Sequence, residues 1–136
     1  MAAIVMDTDV ASYLIKGKDL PRPIAQALVG HRLCITFVTL AELRKWAVSS
    51  GWGIRRRAEL DRWLGKVLVI YPDSDVVSIW GTLSAHAAQR GRPRPQNDTW
   101  IAACCIRHGV PLATLNTKDF EDFASFHGLV IVPSNM

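Results

Sequence analysis

The stretch Ala3-Ile4-Val5-Met6-Asp7-Thr8-Asp9-Val10 decides how this chain folds. Four apolar residues stop abruptly at two carboxylates around a hydroxyl, the pattern of a buried strand running into a helix whose first N–H groups need acceptors. Working outward, the same alternation recurs. Residues 21–29 predict a second short helix, 33–37 a strand, and 39–49 a helix with Leu40, Leu43 and Ala47 on one face, broken by Gly51 and Gly53. A basic amphipathic helix is expected over 54–64, a strand over 67–71 closed by Pro72, and a long helix over 74–90. After a proline-stiffened basic loop come a helix over 97–108 stopped by Gly109, a strand over 112–115, a short helix over 119–123 and a last strand over 129–132. Strands alternating with helices predict an α/β fold, a three-layer α/β/α sandwich around a central, mainly parallel sheet covered on both faces.

With 136 residues and 49% hydrophobic content, the chain has the size and apolar material of one domain, expected to span residues 1–136. It holds no repeat, low-complexity tract or long linker. No segment approaches the roughly 18 apolar residues of a membrane span, and residues 1–6 are too short and lack the basic flank of a signal peptide, so a soluble cytoplasmic protein is expected. Cys34, Cys104 and Cys105 have no metal-ligand spacing and read as buried reduced thiols. The net charge of +4 comes more from arginine than from lysine, which suits forked contacts with phosphate and allows an anionic partner without requiring one.

Four acids stand out. In an open parallel sheet, chemistry gathers beyond the carboxyl ends of the strands. Asp7 follows the first strand directly, Asp98 opens the helix leading into the fourth, and Asp119 lies just beyond the fourth. Glu42 is placed on the first turn of the helix after the second strand. Each of the three aspartates, taken alone, is also explained by helix capping, and Glu42 by a solvated helix face. Together they are harder to dismiss, because two carboxylates about 5 Å apart repel by roughly 3 kcal/mol at an effective dielectric near 20. A divalent cation would compensate. All-oxygen donors favour Mg²⁺, with Mn²⁺ able to substitute, over zinc; His31, His86, His108 and His127 are not needed and read as surface or helix-end residues. Such an ion activates a water and stabilises the leaving oxygen of a phosphodiester, so hydrolysis needs no histidine base.

Met6-Asp-Thr-Asp-Val, Thr39-Leu-Ala-Glu-Leu, Asn97-Asp-Thr-Trp-Ile-Ala-Ala and Thr114-Leu-Asn-Thr-Lys-Asp-Phe, in this order and spacing, resemble the signature segments of PIN-domain ribonucleases, and within them the VapC-type toxins. The resemblance implies a three-layer α/β/α domain, Mg²⁺-dependent endoribonuclease activity leaving a 5′-phosphate and a 3′-hydroxyl, and inhibition by a small VapB-like antitoxin. It makes Asp7 and Asp98 central metal ligands, with Glu42 and Asp119 completing the quartet. Thr114 and Asn116 match the family's polar support near the last acid. Asp9 stands where Asn is more usual, as a fifth carboxylate that tightens metal binding or only caps its helix. A homodimer is also implied.

Two basic stretches are candidates for RNA contact: Arg55, Arg56 and Arg57 on one helix, and Arg90, Arg92 and Arg94 in the loop before Asp98. Trp46, Trp52 and Trp63 form either a satellite core or an apolar groove for an antitoxin helix, whereas Trp80 and Trp100 are expected in the core. Two other functions compete. Asp7-Thr8-Asp9-Val10 also resembles the first motif of haloacid-dehalogenase-type phosphatases, with Asp7 as nucleophile, but that leaves Glu42 and Asp98 without roles. A catalytically silent nucleic-acid-binding or interaction module on the same fold is the second, against which the intact quartet argues.

Overall fold

A computed structural model describes residues 1–133. The chain runs β1 (Ala3–Met6), α1 (Thr8–Lys16), α2 (Arg22–Leu28), β2 (Arg32–Thr36), α3 (Phe37–Ser49), α4 (Ile54–Leu64), β3 (Leu68–Ile70), α5 (Ser74–Gln89), α6 (Gln96–His108), β4 (Leu112–Ala113), α7 (Thr117–His127) and β5 (Ile131–Val132). Every strand pairing is parallel, in the order β3-β2-β1-β4-β5. Among the described residues no helix is long and apolar enough to cross a membrane.

The two-residue period of a strand sends successive side chains to opposite layers, so short apolar runs buried on both faces are what a covered parallel sheet requires. Val5 and Cys34 join Leu112 in a core with Val76, Leu83, Ile101, Cys105, Phe120 and Phe123 from α5, α6 and α7. Met6 and Ile35 face the other way, into a core with Val10, Ala11, Ile24, Leu43, Ala47 and Leu60 from α1 to α4. The three cysteines are buried and unpaired.

Two element boundaries differ from the sequence expectation in ways that matter. Helix α3 begins at Phe37, not Thr39, because Thr36 stays extended (φ −90°, ψ 167°) and its hydroxyl accepts the Thr39 N–H at 3.4 Å. Glu42 consequently sits on the second turn, not the first. Helix α7 covers Thr117–His127, twice the length expected, because Phe120 and Phe123 both reach the core and the helix ends only at Gly128, whose φ of 80° needs a residue without a side chain. Strands β3, β4 and β5 are shorter than their apolar runs.

The strand order positions the site. Connections leave β1 through α1 and α2 to β2, and continue through α3 and α4 to β3. The chain then returns through α5 and α6 to β4 on the other side of β1. Layers change across β1, so beyond the carboxyl ends of β1 and β4 the flanking loops part and leave a crevice. Phe123, fully buried, anchors the helix that carries Asp119. Phe123→Ala is expected to cost about 3–5 kcal/mol of stability, read from urea unfolding, whereas loss of less than about 1 kcal/mol would show that α7 is not held through this ring.

Candidate active site

Asp7 is the first residue beyond β1 and the N-cap of α1. Its Oδ1 accepts the Thr8 N–H at 2.8 Å and its Oδ2 accepts the Thr114 hydroxyl at 2.8 Å. Thr114 is buried just after β4, and its own oxygen accepts the Asn116 N–H at 3.0 Å. The Asp7 N–H donates to the Ala113 carbonyl at 2.9 Å, so backbone and side chain both tie the end of β1 to the end of β4. Asp7 is only 7% exposed, and burial raises its pKa against the two hydrogen bonds, with the charge of Asp119 raising it further.

Asp9 makes a second clamp on the same loop. Its Oδ1 accepts the Val10 N–H at 2.7 Å, and its Oδ2 accepts the Asn116 side-chain amide at 2.7 Å and the Leu115 N–H at 3.3 Å. Burial and the neighbouring Asp7 charge push its pKa up to about 6. Glu42 approaches from α3, where its Oε1 accepts the Thr8 hydroxyl at 3.1 Å while the Thr8 and Thr39 hydroxyls pair at 2.9 Å. Its pKa is raised by burial and by Asp7, against the Thr8 hydrogen bond and the charge of Lys45.

Asp98 and Asp119 stand on the first turns of α6 and α7. Asp98 is pushed up to about 6, first by burial and then by the charges of Asp7, Asp119 and Glu42, with Arg94 opposing them. All four acids singled out in the sequence thus meet at one crevice, with Asp9 beside them. None of the ion pairs among the described residues involves them: these join Arg44 to Asp61, Arg92 to Asp122, and Arg107 to Asp73 and Asp75. Nor, among the described residues, do any three His, Cys, Asp or Glu side chains close on one point as a ready-made metal cage. The acids' repulsion is relieved only in part, by the charges of Arg94 at Asp98 and of Lys45 at Glu42.

Other candidates are dispersed. Of the loop arginines, Arg94 lies close enough to act on Asp98, whereas Arg92 is held by Asp122 at 2.8 Å and Arg90 lies over Phe126 at 4.2 Å. On α4, the Arg57 Nε donates to the Trp52 carbonyl and Arg56 lies over the Trp52 ring, leaving Arg55 exposed. Of the two readings for Trp46, Trp52 and Trp63, the satellite core holds for Trp52, which is buried, with Trp46 and Trp63 partly buried against the same core, and the groove reading resolves into two separate grooves. Trp52 and Trp63 line a cleft of about 250 Å³ between α1 and α4 with Leu14, Ile15 and Arg56. Trp46 packs edge-on against Trp52 at 4.6 Å but opens into a larger groove between α3 and α6. Trp80 and Trp100 are only half-buried, because they stack on each other at 5.0 Å where that groove begins, instead of sinking beneath it.

Sequence reading missed the hydroxyls of Thr8 and Thr39, which orient Glu42. Their signal was available: Thr8 lies between two acids, and Thr39 precedes Glu42 by three residues, the spacing that stacks side chains on one helix face.

Comparison with known proteins identifies the family and the fold. A family model described as the PIN domain matches residues 4–125. Ribonuclease VapC5 of Mycobacterium tuberculosis is 33% identical over 134 residues, covering 96% of this chain and 93% of that protein. The structure of VapBC-1 from nontypeable Haemophilus influenzae superposes with a TM-score of 0.80 at 28% identity, covering 95% of this chain and 96% of that one. VapBC-5 of Mycobacterium tuberculosis, a member of the VapBC family of toxin-antitoxin systems, gives 0.71 at 29% identity over 96% of this chain and 98% of that one.

Charge crowding has a measurable sign. The folded protein holds a proton on Asp98 up to about pH 6, whereas the ordinary value is 3.8, so the group favours folding at low pH and that contribution is lost as pH rises from about 4 to 6. In EDTA, Asp98→Asn is therefore expected to raise the Tm at pH 7.5 by a few degrees, on the order of the shift produced by 1 kcal/mol once solvent screening of this half-buried group is allowed for, with the gain shrinking toward pH 4.5. A gain independent of pH would show that the carboxylate is not under electrostatic stress.

Proposed function

Because this chain belongs to the PIN-domain family, among its VapC ribonucleases, we propose that it is the toxin of a type II toxin-antitoxin pair, a metal-dependent endoribonuclease working through Asp7, Glu42, Asp98 and Asp119. VapC nucleases of this family are in general metal-dependent, and for this chain the ion is Mg²⁺, with Mn²⁺ able to substitute. The observation that carries the reading is the convergence of these acids at the end of β1 with no cationic side chain paired to any of them.

The residues fit that ion. Oxygen donors suit it, and Mg²⁺ is usually held by one or two carboxylates, retained waters and substrate phosphate, so acids that act on one another without forming a three-ligand cage among the described residues are compatible with it. When bound, it supplies Lewis-acid polarisation of the phosphodiester and a water of lowered pKa. Asp7 and Asp98 are the central ligands. Thr114 and the Thr8 N–H hold both Asp7 oxygens in place, and the Thr8–Thr39 hydroxyl pair aims Glu42 at the same space. Asn116, tied to Asp9, fixes the loop that leads to Asp119. Hydrolysis at phosphorus leaves a 5′-phosphate and a 3′-hydroxyl without using the 2′-hydroxyl, so preference for RNA over DNA rests on contacts and shape. Arg94 sits where it can steer the backbone, with Arg90, Arg92 and the α4 arginines as wider contributors.

One PIN domain spanning residues 1–136 acts in the cytoplasm as a homodimer, inhibited by a VapB-like antitoxin. For the antitoxin, the cleft at Trp52 and Trp63 sets the cations Arg56, Arg62 and Lys66 and the single acid Glu59 around Leu14, Ile15 and Leu60, a net positive lining that suits an amphipathic helix with acidic flanks.

Purified, antitoxin-free protein is expected to cut a mixed cellular RNA pool at discrete sites in Mg²⁺, with 5′-phosphate ends, and to stop in EDTA. Asp7→Asn and Asp98→Asn should each lower the rate roughly 100-fold or more. Thr114→Val should weaken Mg²⁺ activation about 10- to 100-fold while leaving the Mg²⁺-saturated rate closer to wild type. Cleavage surviving EDTA and both acid substitutions would sink this mechanism, and phosphate release from a small monoester in place of RNA cleavage would favour the phosphatase.

A further inference from the structure

The groove between α3 and α6, about 510 Å³, shares Glu42 with the acid cluster, and the rest of its lining is not used by the chemistry above. Its walls come from Phe37, Ala41, Lys45 and Trp46 on one side and from Asn97 and Trp100 on the other. Glu42 lines it as well, and Asn97 immediately precedes Asp98, so the groove opens directly from the acid crevice.

We infer that this groove is a nucleobase subsite, in which an unpaired base neighbouring the scissile phosphate of single-stranded RNA lies against the aromatic wall formed by Phe37 and Trp100. The inference rests on the nuclease reading and adds to it the residues that hold the substrate. The wall is built in advance. Trp100 is stacked on Trp80 at 5.0 Å and 21°, and lies in a T-shaped pair with Phe37 at 5.6 Å and 76°, so its plane is fixed before any ligand arrives. Aromatic faces hold bases of any identity, because every base has a π-face. Around that wall the exposed groups are the amide of Asn97, the hydroxyl of Ser49 and the ammonium of Lys45. An amide and a hydroxyl suit the polar edge of a splayed base, and an ammonium suits the phosphate attached to it.

Position and the placing of the polar groups favour a nucleotide over a peptide helix: the lining is mainly apolar, but its larger apolar groups Phe37, Trp46 and Trp100 are half-buried. The exposed positions along α3 here are Ala41, Lys45 and Ser49, not the apolar stripe that a docking helix requires. The groove also ends on a carboxylate of the acid cluster, so a chain whose phosphate lies among the acids brings its next base here. Of the two grooves, this one is continuous with the chemistry.

The test uses a fluorescent single-stranded RNA dodecamer of mixed sequence whose cleaved linkage has been mapped with the wild-type protein. Each nucleotide in turn is replaced by an abasic ribose, and cleavage is measured with wild type, with Ala41→Trp, which fills the groove from an exposed helical position, and with Ser49→Phe as a second filling variant. One abasic position beside the cleaved linkage is expected to lower kcat/KM roughly ten- to a hundredfold, mostly through KM, and both filling variants should cleave intact and abasic RNA at the same reduced rate. Cleavage of intact RNA with a flat abasic scan would overturn the subsite and leave the nuclease standing. Base sensitivity undiminished in both filling variants would also overturn it, by placing the base elsewhere. Filling variants that cleave like wild type but escape a co-purified antitoxin would overturn it in favour of a protein occupant. Failure of folded wild type to cut any RNA would remove the nuclease reading and the subsite together.

Discussion

A carboxylate buried at the end of the central strand is the constraint around which the rest is arranged. Taking Asp7 out of water is unfavourable unless both oxygens are satisfied, and the two donors that satisfy them come from opposite directions in the sequence. Thr8 supplies the next N–H along the chain, and Thr114, more than a hundred residues away, supplies a hydroxyl. That second bond requires β4 to lie beside β1 in the observed register, Val5 opposite Leu112 and Met6 opposite Ala113. A slip by one residue would turn Thr114 away and leave a buried charge unpartnered. Fold and site are therefore specified by the same contact.

Other acids extend that arrangement without relieving it. Asp9 binds the loop after β4, and Glu42 is reached through Thr8, so both carboxylates have hydrogen-bond donors, while neither joins an ion pair among the described residues and only the charge of Lys45 acts on Glu42 from a distance. Hydrogen bonds fix direction, whereas repulsion stays with the cluster. Asp98 shows the distinction most plainly: three neighbouring acids push it upward and only Arg94 pulls it down. Such a concentration of like charge raises carboxylate pKa values together, the pattern that marks a candidate functional site.

Much of this was legible in the chain. The opening four apolar residues and the acids after them identify β1, the start of α1 and the first site residue at once, because a strand buried on both faces must be continuous in apolarity and must end where a charge begins. Residues 54–64 match α4 from end to end, since Gly53 and Gly65 bracket them. What could not be read was set by tertiary contact. Phe37 looks like a strand residue by propensity, yet it opens α3 because the preceding Thr36 caps it and Trp100 packs against its ring. Helix α7 looked like one turn and a half because its polar residues mask the spacing of Phe120 and Phe123, which only the sheet beneath them reveals. Trp46 and Trp63 are close in sequence to Trp52 but open into separate grooves, a separation that depends on how α3 and α4 diverge.

The reversal of strand order at β1 also bears on biosynthesis. A chain emerging from the ribosome can build β1, β2 and β3 with their helices from its first half, but that assembly leaves one edge of β1 unpaired, Asp7 without Thr114, and the crevice without Asp98 or Asp119. A translation product truncated before α6 thus lacks half of these acids, and one truncated before β4 still lacks Asp119 and the hydroxyl that fixes Asp7. Incomplete copies are silent by construction, and competence arrives only as synthesis draws to its close.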